Sequence, residues 1–188
     1  RSYSILDGAV TFGDPVKVIA VTQYVPVTEA SGGGMAESEE LTGDLVPLTE
    51  AKAIGKEGIA RVKVISPGFG SSGYYPEKTL EAAAAKFANA QCYWDHPSAT
   101  DETNRPERSL RDLAGKIVGT PTWEANGSTG PGIYADVQVF KPYQDAVEEL
   151  APHIGMSIRA LGKAGTAEVD GKKVRSIESI DDVRSVDF

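Results

Sequence analysis

Asp170-Gly171 is the most constraining folding signal in this chain. An Asp-Gly pair between two runs of strand-forming residues supplies the positive-φ positions of a two-residue β-hairpin. One strand ends near Val169, and its return runs through Val174, Ser176 and Ile177. The C-terminal part of the chain is therefore antiparallel sheet. Upstream of the turn stands Gly155-Met156-Ser157-Ile158-Arg159-Ala160-Leu161-Gly162, a short strand with one hydroxyl among apolar and small residues. Neighbours in a strand point to opposite faces, so Met156 and Ile158 share one face and Ser157 takes the other. The last run, Asp182 to Phe188, alternates again. Ser185 and Asp187 share one side, while Val186 and Phe188 take the core side.

The rest of the chain adds strands and two helices. Residues 16–22 form a strand continued by 24–27, and Pro15 and Pro26 bracket it as they would an edge strand. Residues 28–50 combine Ser31-Gly32-Gly33-Gly34 with clustered acids (Glu37, Glu39, Glu40, Asp44), which reads as a flexible linker or loop. Ile59 to Ser66 alternates as a half-buried strand, and Pro67 to Gly73 breaks it with turn chemistry. Pro76 opens a helix through about Ala90, with Leu80, Ala83, Ala84 and Phe87 on one face. Gln91 to Trp94 is a short strand, and residues 98–111 are a polar surface loop containing Arg105, Arg108 and Arg111. A hairpin around Asn126-Gly127 joins strands near 113–123 and 133–140, and a short helix follows from Pro142 to about Leu150. Mostly antiparallel strands with two helices predict an α+β fold: a barrel-like sheet with peripheral helices. The expected organisation is an N-terminal strand segment at 1–27, an acidic linker at 28–50 and the main domain at 51–188.

Composition narrows the function classes. A length of 188 residues supports one domain with a sizeable core. A formal net charge of −8 and a pI near 4.8 disfavour nucleic acid and anionic membrane as partners. A single cysteine, Cys92, excludes an internal disulfide framework. No apolar run approaches the roughly 18–20 residues that span a bilayer, and no signal peptide is visible. No His/Cys/Asp cluster has metal spacing, and Gly68 to Gly73 lacks the lysine of a phosphate loop, so neither metal nor cofactor is expected. A start at Arg1 and an end inside a strand-like run suggest a fragment of a longer chain.

Serine becomes a nucleophile only with a base to take its proton, and the base needs a group to fix its tautomer. There are two histidines, His96 and His153. His153 lies four residues before Ser157, roughly 13 Å along an extended strand, and is poorly placed to reach it. His96, in Asp95-His96-Pro97 at a strand end, is the better base; its alternative role is donation to a nearby carbonyl. Candidates for the third group are Glu178, Asp181, Asp182 and Asp187. Asp187 stands out because Val186 and Phe188 anchor its strand, although an exposed sheet carboxylate is the alternative. Cys92 could in principle pair with His96, but a cysteine on a short apolar strand is more often core.

His96 before Pro97, then Gly155-Met156-Ser157-Ile158-Arg159, then Ser185-Val186-Asp187-Phe188, resembles the prohead (capsid maturation) proteases of tailed phages. The helix carrying Leu80 and Phe87 and leading into Tyr93-Trp94-Asp95 adds to the likeness, which covers roughly residues 59–188. That family is similar in fold to the herpesvirus maturation protease, whose third member is a histidine where phage-type members have an acid. The resemblance implies Ser157 as nucleophile, His96 as base and Asp187 as orienter of a serine endopeptidase. Its implied substrates are scaffold and major capsid proteins, and the chain itself, inside the assembling prohead in the host cytoplasm. It also implies a homodimer or higher oligomer. A non-enzymatic scaffold or capsid-interior module, or a hydrolase of small esters, are the competing expectations.

Overall fold

The computed structural model describes residues 3–6, 9–12, 38–42, 46–47, 54–55, 57–96 and 108–188. The chain divides into two compact units, Arg1–Gly33 and Gly34–Phe188. In the first, β1 (Tyr3–Leu6) and β2 (Ala9–Phe12) form an antiparallel hairpin that the sequence reading did not anticipate. The strand expected at 16–27 lies outside the described residues.

The second unit is organised by the hairpin at Asp170-Gly171. β11 (Gly155–Val169) and β12 (Lys172–Asp187) pair antiparallel along their length, from Ser157↔Asp187 to Val169↔Lys172. Asp170 and Gly171 have φ of 51° and 74°, the doubly positive geometry whose twist matches the flanking strands. Register shifts follow Arg159, Leu161 and Lys163. Each such bulge bends the strand and increases its twist, so one long hairpin can curl round the core. The separate short strands expected here are thus continuous, and their face parity changes at each bulge.

Two sheets surround this core. One has the order β5 (Ile59–Ile65), β10 (Gly132–Val139), β9 (Leu113–Glu124), β8 (Gln91–Tyr93). The other runs β3 (Glu39–Thr42), β11, β12, β7 (Gly73–Tyr75), β6 (Gly68–Gly70), with β4 (Val46–Pro47) also on β11. Among the described residues all the pairings are antiparallel except β7 with β12. The α+β class and antiparallel pattern are those expected, but among the described residues the sheets do not close into a barrel. They meet at a corner where the Phe188 N–H donates to the Tyr93 carbonyl at 2.8 Å.

Three local expectations change. The acidic stretch contributes strands β3 and β4 against β11, and Leu41 within it is completely buried. Burying a leucine contributes about 1.5–3 kcal/mol, enough to hold a short edge strand that carries charged neighbours. Apart from Ser38, the remainder of 28–50 lies outside the described residues. The glycine-rich break after β5 is itself a small hairpin, β6–β7, turning at Ser71-Ser72. The first helix is α1 (Glu77–Ala83), continued by a 3-10 turn over Ala84–Phe87, and ends before the expected Ala90. Leu80, Ala83, Ala84 and Phe87 are all buried, as one helix face should be. α2 (Gln144–Leu150) follows a 3-10 turn at Lys141–Tyr143 and buries Val147.

Candidate active site

The corner between the sheets assembles the site. Tyr93 on β8 pairs with Leu113, and the Trp94 N–H donates to the Asp112 carbonyl at 2.7 Å. β8 ends there, and the chain turns outward through Asp95 and His96. Asp95 Oδ1 accepts the His96 backbone N–H at 2.7 Å, a local side-chain turn that replaces the lost ladder bond. Trp94 packs at ring-centroid distances of 5.5 Å from Tyr143 and 6.5 Å from Phe188. Together with the Phe188–Tyr93 backbone bond, these contacts fix the end of β12 against the end of β8.

Ser157 and Asp187 face each other as cross-strand partners on β11 and β12. Opposed antiparallel residues have Cα atoms about 4.5–5.5 Å apart and side chains on one face. Ser157 is half-buried, whereas Asp187 has no exposed surface. His96 Nδ1 lies 3.1 Å from Asp187 Oδ2, with the ring about one-third exposed. The separation is that of an ion pair or hydrogen bond, but the N–H is not aligned on the oxygen. Catalytic hydrogen bonds in unliganded enzymes are commonly loose in this way and tighten with substrate. An imidazole with Nδ1 toward a carboxylate presents Nε2 on its far edge, the arrangement a base needs to serve a neighbouring hydroxyl.

A fourth side chain completes the cluster. Arg108 Nη1 is 3.1 Å from the same Asp187 Oδ2, and Nη2 donates to the Asp95 carbonyl at 2.6 Å. Its guanidinium carbon stands 4.0 Å from the centre of the Tyr93 ring, a cation–π contact. The sequence reading placed Arg108 only among the charges of a polar loop. Nothing local marks it, because its partners come from two other segments, the end of β8 with its turn (Tyr93, Asp95) and the end of β12 (Asp187). Asp187 Oδ1 and the Oγ of buried Ser185 lack hydrogen-bond partners among the described residues. Ser185 faces Arg159, two cross-strand pairs along from Ser157 and Asp187.

The other sequence candidates lie elsewhere. Asp181 is exposed and accepts from Ser38 Oγ at 2.6 Å and Ser179 Oγ at 2.9 Å. Those two hydroxyls, the Ser38 bond first, hold its carboxyl below the ordinary aspartate range. Asp182 makes an exposed ion pair with Arg184 at 3.4 Å, and Glu178 and His153 are exposed. Cys92 is fully buried, and burial, then the Asp187 charge, pushes its thiol well above its ordinary value. A thiol that resists ionisation is no nucleophile, so the Cys92–His96 alternative fails. Burial also raises the Tyr93 phenol, while Arg108 pulls the other way. Among the described residues no three His, Cys, Asp or Glu side chains converge as a metal site. No helix there is long and apolar enough to cross a membrane.

The structure thus brings Asp187 together with His96 and with Ser157, and leaves Glu178, Asp181, Asp182 and His153 outside the cluster. A serine, an imidazole and a buried carboxylate are the groups that acyl transfer by a hydroxyl nucleophile uses. No family model, curated protein or solved structure matches the chain.

Proposed function

We propose that the protein is a serine endopeptidase of the prohead-protease type, acting on scaffold and major capsid proteins and on its own chain during phage head assembly. One observation carries the hydrolase part of this reading: Asp187, wholly buried, is at once the cross-strand partner of Ser157 and the 3.1 Å neighbour of His96 Nδ1. A fully desolvated carboxylate needs compensation, and a sequence without a function for it would do better with an apolar residue. The substrate class, the location inside the assembling prohead, the oligomeric active form and the likeness to the herpesvirus protease fold rest on the sequence resemblance.

In the reaction, Ser157 Oγ attacks the scissile carbonyl carbon while His96 accepts the hydroxyl proton. The Asp187 carboxylate stabilises the imidazolium that forms. Collapse of the tetrahedral intermediate breaks the C–N bond, and His96 returns the proton to the leaving amine. A water molecule, deprotonated by His96, then attacks the ester on Ser157 and releases the acid, and the serine regains its proton.

The test is proteolysis by purified protein, read as self-cleavage and as digestion of unfolded casein. Cleavage that disappears in Ser157→Ala, with the fold retained, supports the endopeptidase. Equal cleavage by both proteins, or ester hydrolysis without any peptide cleavage, refutes it.

A further inference from the structure

We propose that Arg108 is a positioning residue for the His96–Asp187 pair: its guanidinium orients the buried carboxylate and so fixes the imidazole. The inference rests on the serine-hydrolase reading above and adds to it a residue outside the three. Asp187 is fully buried, and a carboxylate there stays charged only beside a compensating group. A general base is neutral before it reacts, so the imidazole cannot supply that charge in the resting state. Arg108 can. Its side chain is 12% exposed, with Nη1 3.1 Å from Asp187 Oδ2.

Its other contacts explain why this arginine can fix a direction as well as a charge. Nη2 donates to the Asp95 carbonyl, and Asp95 in turn holds the His96 backbone through Oδ1. The guanidinium plane stands over Tyr93, whose carbonyl accepts the N–H of Phe188, the residue after Asp187. One planar fork therefore ties the turn that carries His96 to the strand end that carries Asp187. The backbone supports the same conclusion. Arg108 has φ of 56°, a left-handed conformation uncommon for a residue with a side chain. Such conformations persist where surrounding contacts over-determine them, and they cluster at functional sites.

The arrangement has a specific consequence at the carboxylate. Arg108 and His96 both address Oδ2, while Oδ1 has no hydrogen-bond partner among the described residues. Arg108 thus supplies the aligned hydrogen bond that sets the carboxylate's rotation, and His96 takes its place beside an oxygen already fixed. Without the guanidinium the carboxylate can rotate and the imidazole loses its reference point.

The test compares wild type, Arg108→Gly and Arg108→Lys. Glycine accepts a positive φ without strain, so Arg108→Gly removes the guanidinium without adding a backbone penalty. With a fluorophosphonate probe, Arg108→Gly should lose on the order of 10²-fold in the maximal labelling rate, as for a misplacement of about 1 Å, with the probe's binding constant unchanged. Millimolar guanidinium should restore part of the rate in Arg108→Gly and leave wild type unaffected. Lysine, which keeps charge but not the fork, should restore less than the native residue. A structural role alone would give no guanidinium rescue. A second readout does not need activity: the ring ¹⁵N resonances of His96, which report the tautomer the imidazole holds, should differ between wild type and Arg108→Gly. A wild-type labelling rate in Arg108→Gly, or unchanged resonances, overturns the proposal. If wild type itself is never labelled, the hydrolase reading fails and the resonances alone decide the role of Arg108.

Discussion

Replacing Asp187 by asparagine separates the catalytic role proposed for this residue from its part in the fold. The catalytic part follows from tautomer control: an asparagine amide cannot stabilise the imidazolium and presents the wrong partner to Nδ1. In a Ser-His-Asp arrangement that loss is about 10⁴-fold in turnover, or about 5 kcal/mol of transition-state stabilisation. The stability part comes from burial. Asp187 has no exposed surface and shares Oδ2 with an Arg108 side chain that is 12% exposed. Breaking a buried ion pair from one side costs about 3–5 kcal/mol, because the other charge remains without compensation. For a chain of this size that corresponds to roughly 6–20 °C in melting temperature. Activity must therefore be measured at a temperature where the variant is folded, with melting followed by circular dichroism on the same preparation. Asp182→Asn is the control: its exposed pair with Arg184 contributes at most about 1 kcal/mol, and turnover should stay within about tenfold of wild type. A double variant, Arg108→Gln with Asp187→Asn, removes both charges and should melt above Asp187→Asn alone. An Asp187→Asn protein with wild-type turnover, or with an unchanged melting temperature, would refute the role assigned to this carboxylate.

Two further outcomes test the fold. Gly162 lies where β11 passes the Ser179 carbonyl and Leu41, and an added methyl would overlap that backbone oxygen; Gly162→Ala should lower the unfolding free energy by about 1–3 kcal/mol in urea titrations, and an unaltered midpoint would contradict the close approach. Asp181 is held below the ordinary aspartate value of 3.8 by Ser38 first and then Ser179, so its contribution to stability is present above that value and lost as pH falls through the lowered one. Asp181→Asn should therefore be less stable than wild type at neutral pH and converge with it in strong acid; equal differences at both pH values would count against the assignment.

The C-terminal hairpin was legible because Asp-Gly turn chemistry is local: two positive-φ residues set the twist and pairing of everything that flanks them. Strand alternation also placed Asp187 on the face opposite Val186, but it could not give burial. Alternation suggests one wet face, whereas Val186 and Asp187 are both fully buried, since β8 and Arg108 cover the second face at the corner. That covering depends on a backbone bond between Phe188 and Tyr93, two segments far apart in sequence. Arg108 was illegible for the same reason, as its three contacts all come from distant residues or from the turn before His96. The linker reading of 28–50 missed β3 because composition averages over a window. A single apolar residue, Leu41, decides that strand once β11 offers an edge to pair with. The helix from Pro76 shows the opposite limit: Pro76 marked its start and the apolar spacing its buried face, but the tightening to a 3-10 turn at Ala84 was not visible in either.

The central claim is that Ser157 is a nucleophile activated by His96, and covalent labelling reads it most directly. Wild-type protein treated with a fluorophosphonate and analysed by peptide mass spectrometry should carry one adduct, on Ser157. Ser157→Ala should carry none, and His96→Ala should react slower by a factor on the order of 10³ or more with the fold intact. An adduct on another serine, or labelling of Ser157 at the same rate in wild type and His96→Ala, would contradict the account.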